Sequence, residues 1–515
     1  MTSKTHNQPS SQDNSEDLSA EINTPQETTA KDACGESSEG KKNKPLLNHI
    51  NNHPALKLVK DCKLINDLHG KNYIRLKPEN AEVTYWMELG SKKFLRHLRY
   101  LYIKENTNLD DMKKDISEGI EILKDIAAFE CKPEPVFSRF AFAGDTVNLG
   151  LNDEKQQVVE ITADDWNVIR ESPVPFIYPP SALAIPTPIK GGSLNDLKRL
   201  LNVDEKSFVF IVAWLLMALR GEGPYPILNL IGTAGSTKTT LATMLRSLID
   251  PVHKPLTMKS KSVLDLNVVA ANNAILSLNN VSNISDEMSD ALCTISTEGG
   301  AANRKLYSDS DEVSLDNYRP VIINGIAPVV TRGDLIDRTL FVYLPLITKE
   351  TRRTKASIMA EFNKKRAGIL GALLDGVVSA LKHFDTIKMD SLPRMADFAQ
   401  WVSAAALGMH GELDQFMEIY DKNQKDALAD SLECSPTAQA ILALMPNPGA
   451  WKGTASKLLK ELKIKHDKNH GKLPDTAQQL SGELTRIEHL LATKNITITR
   501  NRTSSAREIT LTKTA

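Results

Sequence analysis

The stretch "YPILNLIGTAGSTKTTLATMLRSLIDP", Tyr225 to Pro251, constrains the fold more than any other part of the chain. A short apolar run enters a turn rich in Gly, Ser and Thr. The turn opens an apolar-periodic helix that Asp250-Pro251 stops. Strand, turn and helix in that order imply a parallel sheet, because the helix must carry the chain back over one face. Apolar strands are also predicted at "AILSLNNV", "RPVIINGI" and "RTLFVYLPL", alternating with helices. An α/β core over residues 193–345 is therefore expected. Its turn approximates G-x-x-x-x-G-K-[ST]. Gly232, Lys238 and Thr239 stand where that pattern wants them, while Thr237 replaces the second glycine.

Such a turn gathers backbone N–H groups and a helix N-terminus around an anion. The expected contacts are Gly232, Thr233, Ala234, Gly235, Ser236, Thr237, Lys238, Thr239 and Thr240. Lys238 is placed to reach the β- and γ-phosphates of ATP, and the Thr239 hydroxyl to complete a Mg²⁺ shell. A β-carbon at Thr237 is tolerable if its φ is negative, with Gly235 supplying the freedom of the turn.

A nucleotide-hydrolysing site of this layout also wants an acid at the end of a second strand. The candidate strand, Asn273 to Ser282, carries Asn279-Asn280 there. An amide can hydrogen-bond a metal-bound water, but it has no charge and cannot act as a base. Asp286 and Glu287 fit the acidic first turn of a helix better than a catalytic role. Asn324, at a strand tip, either orients a lytic water or is a strand-end turn residue. In "TRGDLIDRTL" Arg332 and Arg338 are candidates to neutralise charge in a neighbouring subunit's site, which requires a ring. For Arg338 the alternative is a structural pair with Asp334 or Asp337. Arg394 either contacts a γ-phosphate or pairs with Asp397.

The 515 residues carry a net charge of −1, so any nucleic-acid surface must be local. Five cysteines lie far apart with no C-x-x-C pair, which argues against a zinc site or a disulfide framework and suits a cytoplasmic protein. The longest apolar run, Phe208 to Leu219, is too short to span a bilayer and stops at Arg220. Residues 1–54 read as a disordered arm. Residues 55–192 read as an α+β domain, with short strands joined by Gly144-Asp145 and Asn152-Asp153 turns, ending in an extended, proline-rich linker, and 346–434 as a helical lid. His49/His53 and His466/His470 fit H-x-x-x-H, but chance pairing is the better reading of both.

The order of "GTAGSTKTTLATMLRSLIDP", "LNNVSNISDEMSDALCTISTEGG", "RKLYSDSDEV", "YRPVIINGI" and "TRGDLIDRTLFVYLP" resembles a family of phage- and prophage-type ATPases. These are primase- or helicase-like and similar to superfamily 3 helicases; the likeness is strongest across 193–345. It implies an AAA+-type core, ATP and Mg²⁺ as cofactors, and a hexameric ring of identical chains. It also implies a hairpin that tracks DNA in the pore. By motif position Lys238 and Thr239 match the phosphate-loop pair, Asn324 the sensor asparagine, Arg338 the arginine finger and Lys305 the basic residue before the hairpin. The family's acidic position, usually Asp-Asn, is Asn279-Asn280 here. A small residue other than Gly before the loop lysine is within the family's habits.

Residues 435–515 read as three helices and a β-hairpin, the layout of a winged helix. From Lys452 to Lys513 there are 13 Lys/Arg against 6 Asp/Glu, a local excess of 7. Arg500, Arg502 and Arg507 in the wing suit phosphate contacts, with the helix beginning near Asp475 in a DNA groove. Glu483 and Glu488 on that helix weaken base readout. A protein-docking module is the alternative. The expected function is an ATP-dependent, helicase-like DNA replication protein of a mobile element. A DNA-binding assembly with weak or no hydrolysis is the alternative, and no membrane is involved. A small-molecule kinase explains neither the hairpin, the arginine nor the basic C-terminal unit.

Overall fold

Sixteen residues of one helix, Glu205–Arg220, illustrate how this chain builds its interior: every residue from Ser207 onward is buried. Asp204 caps it by accepting from the Ser207 N–H, and Gly221 ends it. A helix apolar on all sides needs partners on all sides, and the rest of the fold supplies them. The computed structural model describes residues 53–77, 83–106, 108–258, 262–297, 301–304, 312–315, 318–389, 391–409, 411, 413, 415–465, 472–502 and 507–514; for 301–304 and 312–315 only the backbone is described. The expected arm falls almost wholly outside these residues.

The described N-terminal elements are α1 (Pro54–Lys57), β1 (Lys63–Asn66), β2 (Asn72–Leu76), β3 (Tyr85–Glu88), α2 (Lys92–Glu105) and α3 (Met112–Glu130). The strands form an antiparallel sheet in the order β1-β2-β3. The next four are β4 (Phe140–Ala143), β5 (Thr146–Gly150), β6 (Val158–Ile161) and β7 (Trp166–Ile169), a meander joined by the expected Gly144-Asp145 turn. The proline-rich segment that follows is extended but not free. Ile185 donates to the Leu151 carbonyl and Leu183 to that of Pro251, each at 2.8 Å.

Then come α4 (Leu194–Lys198), α5 (Glu205–Arg220), β8 (Ile227–Ile231), α6 (Lys238–Ile249), β9 (Thr257–Met258), α7 (Val263–Ala271), β10 (Leu276–Asn279) and α8 (Asp286–Ser296). A hairpin of β11 (Ala301–Arg304) and β12 (Glu312–Leu315) precedes β13 (Val321–Gly325), α9 (Gly333–Ile336) and β14 (Thr339–Tyr343). Five strands make the central sheet in the order β14-β8-β13-β10-β9, and every pairing in it is parallel. Period-two alternation sorts its side chains onto two apolar faces. Leu228, Leu230, Ile322, Leu340 and Val342 meet α5 and α6 on one face. Ile227, Ile231, Leu276, Leu278, Val321 and Ile323 meet α7, α8 and α9 on the other.

Helices α10 (Lys355–His383), α11 (Ala396–Ala406) and α12 (Phe416–Cys434) complete the first face. The same buried cluster takes in Val147, Leu149 and Val159 of the meander, so one core crosses residue 192 and residue 345. An ionic strap reinforces it: Asp250, at the end of α6, lies 3.3 Å from Arg139 and 3.5 Å from Arg246, with all three buried. A carboxylate shared by two buried guanidiniums is costly to break, since removing it strands two charges.

The C-terminal unit comprises α13 (Pro436–Leu444), β15 (Gly449–Thr454), α14 (Ala455–Lys465), α15 (Ala477–Ala492), β16 (Ile496–Arg502) and β17 (Arg507–Lys513). Its three strands pair antiparallel in the order β15-β17-β16 over a core of its own. The three helices and the hairpin match the sequence reading; β15 was not foreseen, because "GAWKGT" alternates too weakly to signal a strand.

Candidate functional site

The turn from Gly232 to Thr237 leaves the C-terminal edge of β8, an inner strand, and opens α6. In open parallel sheets that edge is where ligands bind. Gly232 cannot carry a side chain: a Cβ there would lie 2.6 Å from Ser236 Oγ and 2.8 Å from the Leu344 carbonyl oxygen. Gly235 takes φ +87°, which favours glycine. Thr237 takes φ +66° as well, so the negative φ expected of it is corrected. The helix must start at Lys238 directly after the turn, and the reversal is made at Thr237 itself. A β-branched residue in that region stores roughly 1–3 kcal/mol. Its hydroxyl offsets part of this by donating to the Ser236 carbonyl at 2.6 Å.

Lys238 folds back into the turn. Its Nζ donates to the carbonyls of Gly232 and Thr233, the latter at 2.8 Å, and to Ser236 Oγ at 3.3 Å. The residue is 8% exposed, and burial pulls its ammonium below the ordinary lysine value. No carboxylate pairs with it among the described residues. A half-desolvated cation held by neutral oxygens is suited to an anionic ligand, and the phosphates of a nucleotide fit this cradle.

Beside it, the Thr239 hydroxyl lies 3.4 Å from Asn279 Oδ1, at the end of β10. Asn279 shares the face of the phosphate-type turn because its neighbours Leu276 and Leu278 occupy the other. Asn324, fully buried near the end of β13, accepts the Asn280 N–H at 3.0 Å and so fixes Asn280 at φ +54°. Asn324 Nδ2 is buried without a partner among the described residues. A buried amide N–H in that condition is a donor waiting for an acceptor. Lys238, Thr239, Asn279 and Asn324 are thus brought together. Thr233 and Ala234 belong to the same turn, and Thr240 follows in the first turn of α6.

Arg338 is not part of this cluster. Its carbonyl accepts the Ile227 N–H at 2.8 Å, at the opposite end of β8. Five strand residues separate it from Gly232, roughly 16 Å at about 3.3 Å per residue. Neither expected side-chain pair forms: Arg338 Nη1 donates to the Asp334 carbonyl at 2.6 Å, and its Nε is buried unpartnered. Arg332 is committed to Asp290 at 2.7 Å and Asp334 at 2.8 Å. Arg394 pairs with Asp337 at 3.9 Å rather than with Asp397. Ser285 caps α8 by accepting from the Met288 N–H, so Asp286 and Glu287 occupy its acidic first turn as read. Asp286 is then used by Arg486 of α15, at 2.6 Å. Lys305 lies outside the described residues, just past the last described residue of β11.

One residue near the turn was not foreseen. Arg352, between β14 and α10, brings Nη2 to 3.7 Å from where a Gly235 Cβ would stand. "TKETRRTK" gives no local signal for this; the approach is a product of how α10 returns over the sheet edge.

The helix expected to enter a DNA groove, α15, is anchored at its C-terminal half. Besides Arg486–Asp286, His489 fills the notch at Gly333, where any Cβ would lie 1.5 Å from His489 Nε2. That half faces the core, and the N-terminal half, with Gln478, Gln479 and Gly482 exposed, is the part left open. In the β16–β17 hairpin, Arg500 is tied to Glu488 at 2.8 Å and to Thr485 Oγ1 at 3.2 Å. Arg502 and Arg507 stand directly opposite each other, both exposed.

Fold and turn together define a mixed α/β protein with a parallel central sheet and a glycine-containing turn on an inner strand that encloses a buried lysine. Residues 194–426 match the family model described as the actinomycete integrative conjugative element replication protein, and residues 437–515 match the C-terminal domain of that element's RepA. Over these stretches the chain is similar to a replication protein of a mobile element. The solved structures similar to it include the SCCmec type IV Cch active helicase, at 11% identity over 88% of this chain and 92% of that one, with a TM-score of 0.48. The NrS-1 C-terminal region is similar at 16% identity over 89% and 98%, with a TM-score of 0.38. No curated protein matches the chain by sequence. Among the described residues, no helix is long and apolar enough to cross a membrane.

Proposed function

We propose that this chain is an ATP-dependent, helicase-like DNA replication protein of a mobile element, with an AAA+-type core and a winged-helix C-terminal unit. The observation that carries the nucleotide reading is the buried Lys238 ammonium, held in the turn by neutral oxygens alone. Mg²⁺-ATP, when bound, supplies the phosphoryl group and its charge. Lys238 and the turn's N–H groups hold the phosphates. The Thr239 hydroxyl and the Asn279 amide are the groups that would help hold Mg²⁺, which would offset the phosphate charge. Asn324 offers its free Nδ2–H to the γ-phosphate or to the water beside it. Arg338, at the far edge of the sheet, serves the site of a neighbouring copy in a ring.

A second reading is favoured by one observation. The group next to Thr239 is an amide, not a carboxylate, and Asp286 is committed to Arg332 and Arg486. A chain in this state binds nucleotide and DNA with little turnover. DNA-stimulated ATP turnover by the wild type, Lys238→Ala and Asn279→Asp separates the two. Turnover in the wild type that Lys238→Ala abolishes supports the motor. A silent wild type restored by Asn279→Asp refutes it and supports the binding assembly.

A further inference from the structure

Lys63, Arg75 and Trp86 stand in one row across the small N-terminal sheet, since Lys63 is opposite Arg75 and Arg75 is opposite Trp86. Residues directly opposite in antiparallel strands share a face. Two cations and an indole therefore line one side, while Ile74, Leu76 and Met87 fill the core on the other. Like charges directly opposite destabilise a sheet, and among the described residues little compensates them. Lys63 reaches Glu134 only at 4.0 Å with both side chains well exposed, a pair worth little in water. Arg75 commits its Nε to the Thr84 hydroxyl at 2.8 Å and has no ion pair among the described residues.

Arg75 and Trp86 of this row line a cleft whose other wall, from β6, β7 and the segment after them, brings up Arg170 and Tyr178. Arg170 is exposed and has no ion pair among the described residues. None of the described lining residues is Asp or Glu. A cation already sits over the indole: Lys63 is 6.0 Å from the Trp86 ring centroid.

We propose that this cleft binds a single strand of nucleic acid, with a base stacked on Trp86 and the phosphodiesters held by Arg75 and Arg170. Guanidiniums on both walls and half-buried aromatic faces between them are what a strand with unstacked bases requires. A duplex hides its base faces and leaves Trp86 without a role. The anion also accounts for the Lys63–Arg75 opposition, which the described residues offset only by the exposed Glu134. The site stands apart from the Lys238 cradle and does not rest on the nucleotide reading.

The test uses the full chain without nucleotide, carrying Arg502→Ala and Arg507→Ala to remove any wing contribution, and a fluorescein-labelled oligothymidylate. Arg75→Ala with Arg170→Ala lowers affinity about tenfold or more and reduces the salt slope by about two. Trp86→Ala weakens binding at all salt concentrations, and Trp86→Phe restores most of it. Where Arg75→Ala lowers Tm, Arg75→Gln, which keeps a donor for Thr84, carries the same expectation. Unchanged affinity and slope in folded variants overturn the proposal. It is equally overturned if dTMP or inorganic phosphate competes as well as the oligomer at equal phosphate concentration. Variant-sensitive binding that prefers duplex overturns it too.

Discussion

The Thr239 hydroxyl and Asn279 Oδ1 lie 3.4 Å apart, joining the first turn of α6 to the end of β10 across the candidate nucleotide site. Asn279→Asp keeps the shape and adds a charge there. It is expected to tighten Mg²⁺-dependent ATP binding several-fold, an opposite charge at that range being worth on the order of 1 kcal/mol. Calorimetry with and without Mg²⁺ checks it; equal tightening without the metal is the adverse result.

Thr237 carries the turn's strain at φ +66°. Thr237→Gly relieves it at the entropic cost of a glycine, so stability should change by no more than about 1 kcal/mol, and nucleotide affinity should be kept. Thr237→Val retains the strain and loses the hydroxyl's bond to the Ser236 carbonyl. Denaturant midpoints should place Val clearly below both wild type and Gly.

Arg352 hangs over Gly235 and has no ion pair among the described residues. Arg352→Ala should raise the apparent Kd for ATP about five- to tenfold, the loss of one charge-assisted phosphate contact, with Tm unchanged. Competition by AMP and ATP separates the roles: a contact to the outer phosphates alters ATP alone.

His489 fills the notch at Gly333, and burial holds its imidazole below the ordinary value of 6.5 despite Asp334 and Asp337 nearby. The neutral form is therefore the docked one. The contact contributes fully above the ordinary histidine value and fades as pH falls through the lower folded one. Proteolysis of the C-terminal unit should quicken at pH 5 relative to pH 7.5. Gly333→Ala should quicken it at both, and adding His489→Ala should reverse the effect by clearing the space.

In the β16–β17 hairpin, Arg502 and Arg507 face each other with no ion pair among the described residues, whereas Arg500 is bound to Glu488. Alanine at Arg502 or Arg507 should each reduce the salt slope of DNA binding by about one. Arg500→Ala should change it less. A larger effect from Arg500 would place the DNA on the opposite side of the hairpin.

Local periodicity and turn chemistry made much of this legible. The run from Tyr225 to Pro251 specified strand, turn and helix, and the Gly144-Asp145 turn specified its hairpin. What escaped was set by packing between distant segments. "KLIN" and "YWME" are too short to declare strands, so the sheet holding Lys63, Arg75 and Trp86 was hidden, and with it their shared face. The positive φ of Thr237 depends on where α6 begins, not on the residue type. Likewise, nothing near Arg352 or His489 reveals that long-range folding delivers them to Gly235 and Gly333.

The separation of Arg338 from Gly232 by the full length of β8 has a kinetic corollary under the proposed function. A solitary copy owns a complete cradle and a complete arginine, yet cannot apply one to the other. Turnover per chain should then collapse on dilution while nucleotide affinity stays constant. An inactive Lys238→Ala chain, mixed with one lacking the Arg338 side chain, should regain part of the lost activity.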